Sequence, residues 1–470
     1  MTTMSNVIKL GEAEAAYLCE REENDYFDRK SARIKPVQVQ DIAVAFANAE
    51  GGTVVIGIED SGTSTESKSL ERWVGRSHIE EYNEIIQTVA GLNPGIDFQH
   101  SFLYHGEGYA NRYVLKLDVR RSLKVHETSK GSVLLRRGAQ SITLKGSQIP
   151  DLMRAKGMIS EEDTYLPSVS PERIVDGKNL ADFLASLPLT DKEPLSFVLQ
   201  ENLVESKSLA PTVAAVLLFA ENPSALMPKQ CALRIVRYDS SHEEIERDKL
   251  TGDMHSIEAP LQKLITDAFR KLKEVIARSE CWTPEGLKSP MYPDDALYEV
   301  LVNSVLHRDY GISDNVLISV YRNRIEFRSP GRLPGFVTTE NIQHARFSRN
   351  PKLVRLLSKY TNAPNKDLGE GINTVYERMQ QAGFVDPVFI DDGANLHVIL
   401  KRRPREDSAD VITRFIHRHG SINNRQAIDL LALESADQAT AIFSKLREQG
   451  TIAREDEKQT GTRVRWILGK

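Results

Sequence analysis

Ala45-Phe46-Ala47-Asn48-Ala49-Glu50-Gly51-Gly52-Thr53-Val54-Val55-Ile56-Gly57-Ile58-Glu59-Asp60 is the stretch on which the reading of the fold turns. A Gly-Gly pair ahead of a β-branched run predicts a turn feeding a buried strand, with an exposed carboxylate, Asp60, just past its end. Upstream stands Glu23-Asn24-Asp25-Tyr26-Phe27-Asp28-Arg29-Lys30. If the strand carrying Asp28 lies beside Thr53–Ile56, then Glu23, Asp28 and Asp60 converge. Clustered carboxylates repel unless a hard cation holds them, and Mg²⁺ or Mn²⁺ bound in this way activates water or steadies a phosphoryl oxygen. Lys30 would stand within reach of a phosphate. Spacing alone leaves a second reading open, in which these are solvated surface acids.

The two stretches resemble the Schlafen AlbA-type domain. Its pattern is an acid, four residues, a second acid before a hydrophobic residue and Lys, and later a strand after Ala-Phe-Ala-Asn-Thr-Glu-Gly-Gly. The corresponding run here is Ala-Phe-Ala-Asn-Ala-Glu-Gly-Gly, residues 45–52. The resemblance implies a nucleic-acid-acting domain in which Glu23, Asp28 and Asp60 hold a metal for cleavage of RNA, or of DNA, and it suggests a part in defence against phage. Two positions depart from the pattern: Asp28 stands where the family has Glu, and Arg29 where it has Phe or Leu. Many proteins with this domain are described only as binding nucleic acid.

A second constellation lies downstream. In the helix expected from Asp294 to His307, Asp295, Glu299, Asn303 and His307 recur every fourth residue and share one side, while Leu297, Val300, Leu301, Val305 and Leu306 supply packing. Glu299 could polarise a water, and Asn303 offers an amide oxygen to a Mg²⁺ that bridges phosphates. A solvated helix face is the alternative. Ile325 to Gly335 reads as a strand entering a Gly/Pro turn, and Leu368-Gly369-Glu370-Gly371 opens a helix whose N–H groups suit a phosphate. These elements in this order resemble the GHKL ATPase fold of gyrase, histidine kinases and MutL, and more closely its divergent RecG-like branch. The resemblance implies bound ATP, with Glu299 as base, Asn303 as metal ligand, His307 beside them, and Ser329, Gly331, Gly369 and Gly371 on the nucleotide. Ser329 stands where typical members place an Asp for the adenine amino group, which leaves adenine specificity open. Arg349 reads either as a phosphate contact or as a surface residue. No Walker A motif occurs, so the chain is no helicase motor.

At 470 residues the chain is long enough for three or four cores. The expected fold is α+β multidomain: a Schlafen AlbA-type domain (1–155), a linking α/β domain (156–285), a GHKL-like α/β sandwich (286–404) and a winged helix-turn-helix (405–470). In the linking part, the apolar run 213–220 and residues 231–236 both read as strands. The tail offers three helix signals and a short hairpin, and Lys401, Arg402, Arg403, Arg405 and Arg425 form a basic patch for a nucleic-acid backbone. A formal net charge of −5 argues against indiscriminate coating of nucleic acid. Cys19, Cys231 and Cys281 are spaced too widely for a metal site and read as packing residues. With no long apolar run and an acidic start, a cytoplasmic protein with no membrane partner is expected, as is a homo-oligomer. Two functions compete: a nucleotide-regulated, metal-dependent nuclease, and an ATP-binding, DNA-binding regulator that does not cut.

Overall fold

A computed structural model describes residues 6–60, 69–106, 112–187, 193–227, 231–241, 250–334, 337–364 and 371–469. The chain divides into two compact units, Met1–Ile159 and Ser160–Lys470.

The first unit contains β1 (Val7–Leu10), α1 (Glu12–Glu20), β2 (Phe27–Lys30), α2 (Pro36–Asn48), β3 (Gly51–Ile56), α3 (Asn83–Ala90), β4 (Phe98–His105) and β5 (Val114–Arg120). A hairpin of β6 (Leu134–Arg137) and β7 (Gln140–Thr143) and a last helix, α4 (Gln148–Ala155), follow. Five strands form a mixed sheet in the order β1-β4-β5-β3-β2. The diagnostic stretch is interior to it: β3 pairs antiparallel with β5 and parallel with β2, which sets Asp28 level with Val54. Alternation then splits the strand between two cores. Val54 and Ile56 pack with Phe46, Ile85 and Leu117, and Val55 packs on the other face with Ala15, Cys19 and Phe27. At Gly52 a Cβ would come 2.5 Å from the Phe46 ring, so only glycine lets α2 lie this close to the strand. Asn48, the last residue of α2, is 2% exposed; its side chain accepts from the His126 N–H and donates to the carbonyls of His126 and Leu134, each at 2.8 Å. That bracket fixes β6, and everything β6 carries, against α2.

In the second unit the chain runs through α5 (Glu172–Val175), α6 (Lys178–Ser186), α7 (Pro194–Gln200), α8 (Val213–Phe219) and α9 (Pro223–Leu226). It continues through β8 (Leu233–Tyr238), β9 (Leu250–Ile257), α10 (Leu261–Ala277), the hairpin β10 (Cys281–Thr283) and β11 (Gly286–Lys288), and α11 (Asp294–Leu306). Next come β12 (Val316–Val320), β13 (Arg324–Pro330), α12 (Pro351–Leu357), α13 (Gly371–Gln381), β14 (Val388–Asp391) and β15 (Asn395–Lys401). The last elements are α14 (Ser408–His419), α15 (Asn424–Leu431), α16 (Ala436–Glu448) and the short strands β16 (Ile452–Arg454) and β17 (Trp466–Leu468).

Two expectations are corrected here. The apolar run read as a strand is α8, buried at every residue and capped by the Thr212 hydroxyl, which accepts from the Ala215 N–H; a run apolar on all sides has no periodicity to tell helix from strand. The second correction concerns the boundary at 285/286, which does not separate two cores. β8 and β9, from the presumed linking domain, complete a six-stranded sheet in the order β14-β15-β13-β12-β8-β9, and α8, α10 and α11 share one apolar cluster with it.

Residues of α14, α15, α16 and the β16–β17 hairpin enclose a smaller core of Phe415, Ile422, Leu430, Phe443 and Trp466. That core is tied to the sheet by polar contacts. The Asp429 side chain, 1% exposed, accepts from Arg322 Nη2 and from the Trp282 N–H, both at 3.1 Å. Its carbonyl accepts from Arg402 at 2.9 Å, and Asn323 donates to the Leu433 carbonyl at 3.0 Å. The three cysteines are buried free thiols. No helix among the described residues is long and apolar enough to cross a membrane.

Candidate functional site

In the first unit an open cleft of about 560 Å³ lies between β2, the start of α2 and the β6–β7 hairpin. Asp28, Lys30, Arg33, Asp60, Arg136 and Ser141 are among the residues that line it. Two of the three predicted acids, Asp28 and Asp60, reach this cleft, and Glu23 meets Asp28 through Lys30. Asp60 is exposed.

Two of the acids, Glu23 and Asp28, are already paired with cations of the chain itself. Asp28 Oδ2 accepts from Arg136 Nη1 at 2.6 Å, with both side chains almost fully buried, and Asp28 Oδ1 accepts from the Lys30 ammonium. Lys30 also donates to Glu23 Oε1 and to the Arg29 carbonyl, each at 3.0 Å. An ammonium has three N–H donors, and all three are used. Glu23 Oε1 takes a further bond from the Arg29 N–H at 3.0 Å. Burial pushes the Glu23 carboxyl up, but the bonds it accepts from the Arg29 N–H and Lys30 outweigh it and hold the group below its usual range. Burial holds the Asp28 carboxyl above its usual range, opposed by Lys30 and Arg136, each of which faces one of its oxygens. Among the described residues no group of three or more His, Cys, Asp or Glu is placed to hold a metal ion. The expected metal set of Glu23, Asp28 and Asp60 therefore does not fit Mg²⁺ or Mn²⁺ as the side chains stand, and Lys30 has no N–H to spare for a phosphate. Arg33 is the exposed guanidinium of the cleft.

Arg29, the departure from the acid-acid-Lys pattern, has a clear place. Its guanidinium donates to the carbonyls of Cys19 (2.6 Å) and Arg21 (3.0 Å) at the C-terminal end of α1, where unpaired carbonyls attract a cation. It thereby fixes the turn that carries Glu23. Arg136 is the residue sequence reasoning missed, since it lies 108 positions from Asp28. The available signal was alternation in β6, where Leu134 and Arg136 fall on the same inward side.

In the second unit the polar stripe of α11 faces α13. Asp295 pairs with Arg378 at 2.9 Å, and Asn303 donates to Glu299 Oε1 at 2.9 Å. Burial pushes the Glu299 carboxyl up, partly offset by that bond. Gly371, the first residue of α13, abuts this carboxylate so closely that a Cβ would sit 1.6 Å from Glu299 Oε1. Glu299, Asn303 and the N–H groups opening α13 thus come together, which suits a Mg²⁺-bound polyphosphate. Gly369 lies outside the described residues. Gly331, at φ +105°, adopts a backbone that favours glycine, and a Cβ there would come 2.7 Å from Asp309 Cβ.

The other predicted nucleotide contacts are occupied elsewhere. The Ser329 hydroxyl, buried in β13, donates to the Ser304 carbonyl at 2.8 Å and braces sheet to helix. His307 ends α11 with Nδ1 buried and without a hydrogen-bond partner; burial, helped by the Arg349 cation, pushes its pKa down to about 4, so the imidazole is neutral. Arg349 is 7% exposed, pairs with Asp309 at 2.8 Å and donates to the Arg332 carbonyl at 2.6 Å, which replaces the surface reading with a strut behind Gly331. Two further buried groups went unforeseen. Asn350 donates to the carbonyls of Leu306 and Arg308, and Glu162 accepts from the Lys352 and Leu353 N–H groups at 2.8 Å.

The basic patch of the tail is largely spent. Lys401 pairs with Glu434 at 2.9 Å, Arg402 is 5% exposed and bound to the Asp429 carbonyl, and Arg405 pairs with Asp386 at 3.3 Å. Arg403 and Arg425 are exposed.

Comparison with known proteins follows the same division. Residues 23–145 match the family model "Schlafen, AlbA_2", and residues 313–400 match the model described as "Putative ATP-dependent DNA helicase recG C-terminal". The architecture is therefore that of a Schlafen AlbA_2 domain followed by a RecG-like ATPase-type domain. Among solved structures the chain is similar to the DIP2311 protein from Corynebacterium diphtheriae, at 16% identity and a TM-score of 0.38, over 97% of this chain and 83% of that one. No curated protein matches the chain.

Proposed function

We propose that this is a nucleic-acid-associated, ATP-binding protein whose N-terminal unit grips a phosphodiester backbone without cutting it. One observation carries the choice over a metal-dependent nuclease: Asp28 is clamped between a buried Arg136 and Lys30, so that each of its oxygens already faces a cationic donor. Backbone contact in the cleft falls to Arg33, with Ser31, Gln38 and Ser141 as neutral hydrogen-bonding groups beside it. Contact through the tail is less favoured, because three of its five expected cations are bound within the fold.

In the second unit Asn303 and the opening N–H groups of α13 would hold the phosphates and their Mg²⁺, and Glu299 would orient water at them. When bound, the nucleotide supplies a compact negative charge at the junction of α11 and α13. With Ser329 turned to Ser304, no carboxylate from that position selects adenine, so GTP is expected to compete with ATP.

The test is fluorescence anisotropy with labelled tRNA, single-stranded DNA and duplex DNA, followed by gel analysis after incubation with Mn²⁺. Saturable binding that weakens steeply with salt, and no cleavage, is expected. Mn²⁺-dependent cleavage that disappears in Asp28→Ala and Asp60→Ala would restore the nuclease.

A further inference from the structure

We infer that Lys30 is the resident cation of the Glu23–Asp28 pair, and that it keeps this pair closed to divalent metal so that nucleic acid binds to the cleft without one. Glu23, Asp28, Lys30 and Arg136 sum to zero charge, with two carboxylates facing two cations. The ammonium stands where both carboxylates point, and its three donors are spent on Glu23, Asp28 and the Arg29 carbonyl. A hard divalent ion is held by carboxylates whose negative charge is uncompensated and whose lone pairs are free. With Lys30 and Arg136 in place the charge of this pair is compensated, and both Asp28 oxygens face cationic donors.

Lys30 is also hard to expel. Its ammonium is anchored on three sides at once, by Glu23 Oε1, by Asp28 Oδ1 and by the Arg29 carbonyl. On the opposite side Arg136 is fixed by its own bonds to the carbonyls of Asn24 and Phe27 and holds Asp28 in position. Removing the Lys30 charge alone would leave a set with one net negative charge around two aligned carboxylates. The clause on nucleic acid rests on the proposed gripping role of the cleft; the clause on metal does not.

The experiment is a Mn²⁺ titration of the full-length, chelator-treated protein without nucleotide, read by loss of the free-ion paramagnetic resonance signal. It is run on wild type, Asp28→Asn, Lys30→Met, Lys30→Gln and Lys30→Met/Asp28→Asn, each checked for folding by circular dichroism. Removing a unit charge a few ångströms away is expected to tighten Mn²⁺ binding by roughly tenfold or more in either single variant, and the double variant is expected to lose the gain. A wild-type site abolished by Asp28→Asn overturns the inference, as does a folded Lys30 variant that gains nothing. In parallel, wild-type binding to labelled tRNA is compared in chelator and in Mn²⁺. Equal affinity supports the inference, and a requirement for Mn²⁺ overturns it. Absence of binding in both buffers removes the gripping role instead, while the Mn²⁺ titration still decides what Lys30 does.

Discussion

Replacing Arg136 with Met should cripple the first unit's stability. The substitution keeps most of the apolar stem and removes a guanidinium whose side chain is 1% exposed, against an Asp28 side chain that is 2% exposed. It strands a buried carboxylate with only Lys30 as partner and takes the guanidinium N–H groups from the carbonyls of Asn24 and Phe27. Breaking a buried ion pair by deleting one member costs about 3–5 kcal/mol, because the survivor stays desolvated. For a unit of this size each kcal/mol lowers Tm by about 2–4 °C, so the first unit's transition should fall by roughly 6–20 °C. Asp28→Asn should cost less, since the amide oxygen still accepts from Arg136, and in Asp28→Asn/Arg136→Met the two losses should add to clearly less than their sum. Differential scanning calorimetry of the four proteins completes the double-mutant cycle. A shift below 2 °C in Arg136→Met, or strict additivity, would refute the claim that Asp28 depends on this arginine.

Three more outcomes are expected. Gly371→Ala must push Glu299 or α13 aside, so ATP binding measured by calorimetry should be lost and stability should drop by about 1–3 kcal/mol; wild-type affinity would contradict the packing at α11. Burial pushes the Glu162 carboxyl up to about 7, opposed by its bonds from the Lys352 and Leu353 N–H groups. Its contribution to stability is full below about 4.5 and fades as pH rises through 7, so wild type should lose roughly 2–3 kcal/mol relative to Glu162→Gln between pH 4.5 and 8 in urea unfolding. His307 works in the opposite direction. Its folded pKa lies near 4, below the usual 6.5, so its cost is absent above 6.5 and grows as pH falls toward 4, and His307→Gln should flatten that part of the acid-unfolding profile.

What could be read from the chain beforehand was local. Gly51-Gly52 and the β-branched run placed β3, and four-residue spacing put Glu299 and Asn303 on one side of α11, because these patterns come from backbone geometry within a few residues. Pairing across the chain could not be read in this way. Arg136 reaches Asp28 from a distant hairpin, and the partners that consume the tail cations, Glu434, Asp386 and the Asp429 carbonyl, come from other elements. Glu23, Asp28 and Asp60 are legible as a candidate cluster, whereas the arginine beside Asp28 is not, since it comes from a hairpin far along the chain. The linking region was misjudged for a related reason: β8 and β9 look self-contained in sequence, and only β12 shows which sheet they extend.

Asp429 gives the last sixty or so residues a different standing from that of a tethered bead. Cutting the chain after residue 404 would strip the cover from Trp282, take Asp429 from Arg322 and Arg402, and remove one of the two carbonyls to which the Asn323 amide donates. A shortened protein of that kind should be poorly soluble, and a result obtained with it would report damage to the parent body as much as the loss of the tail. The clean way to detach the module is a single exchange at Asp429, which loosens the hinge pin and keeps both pieces in one molecule.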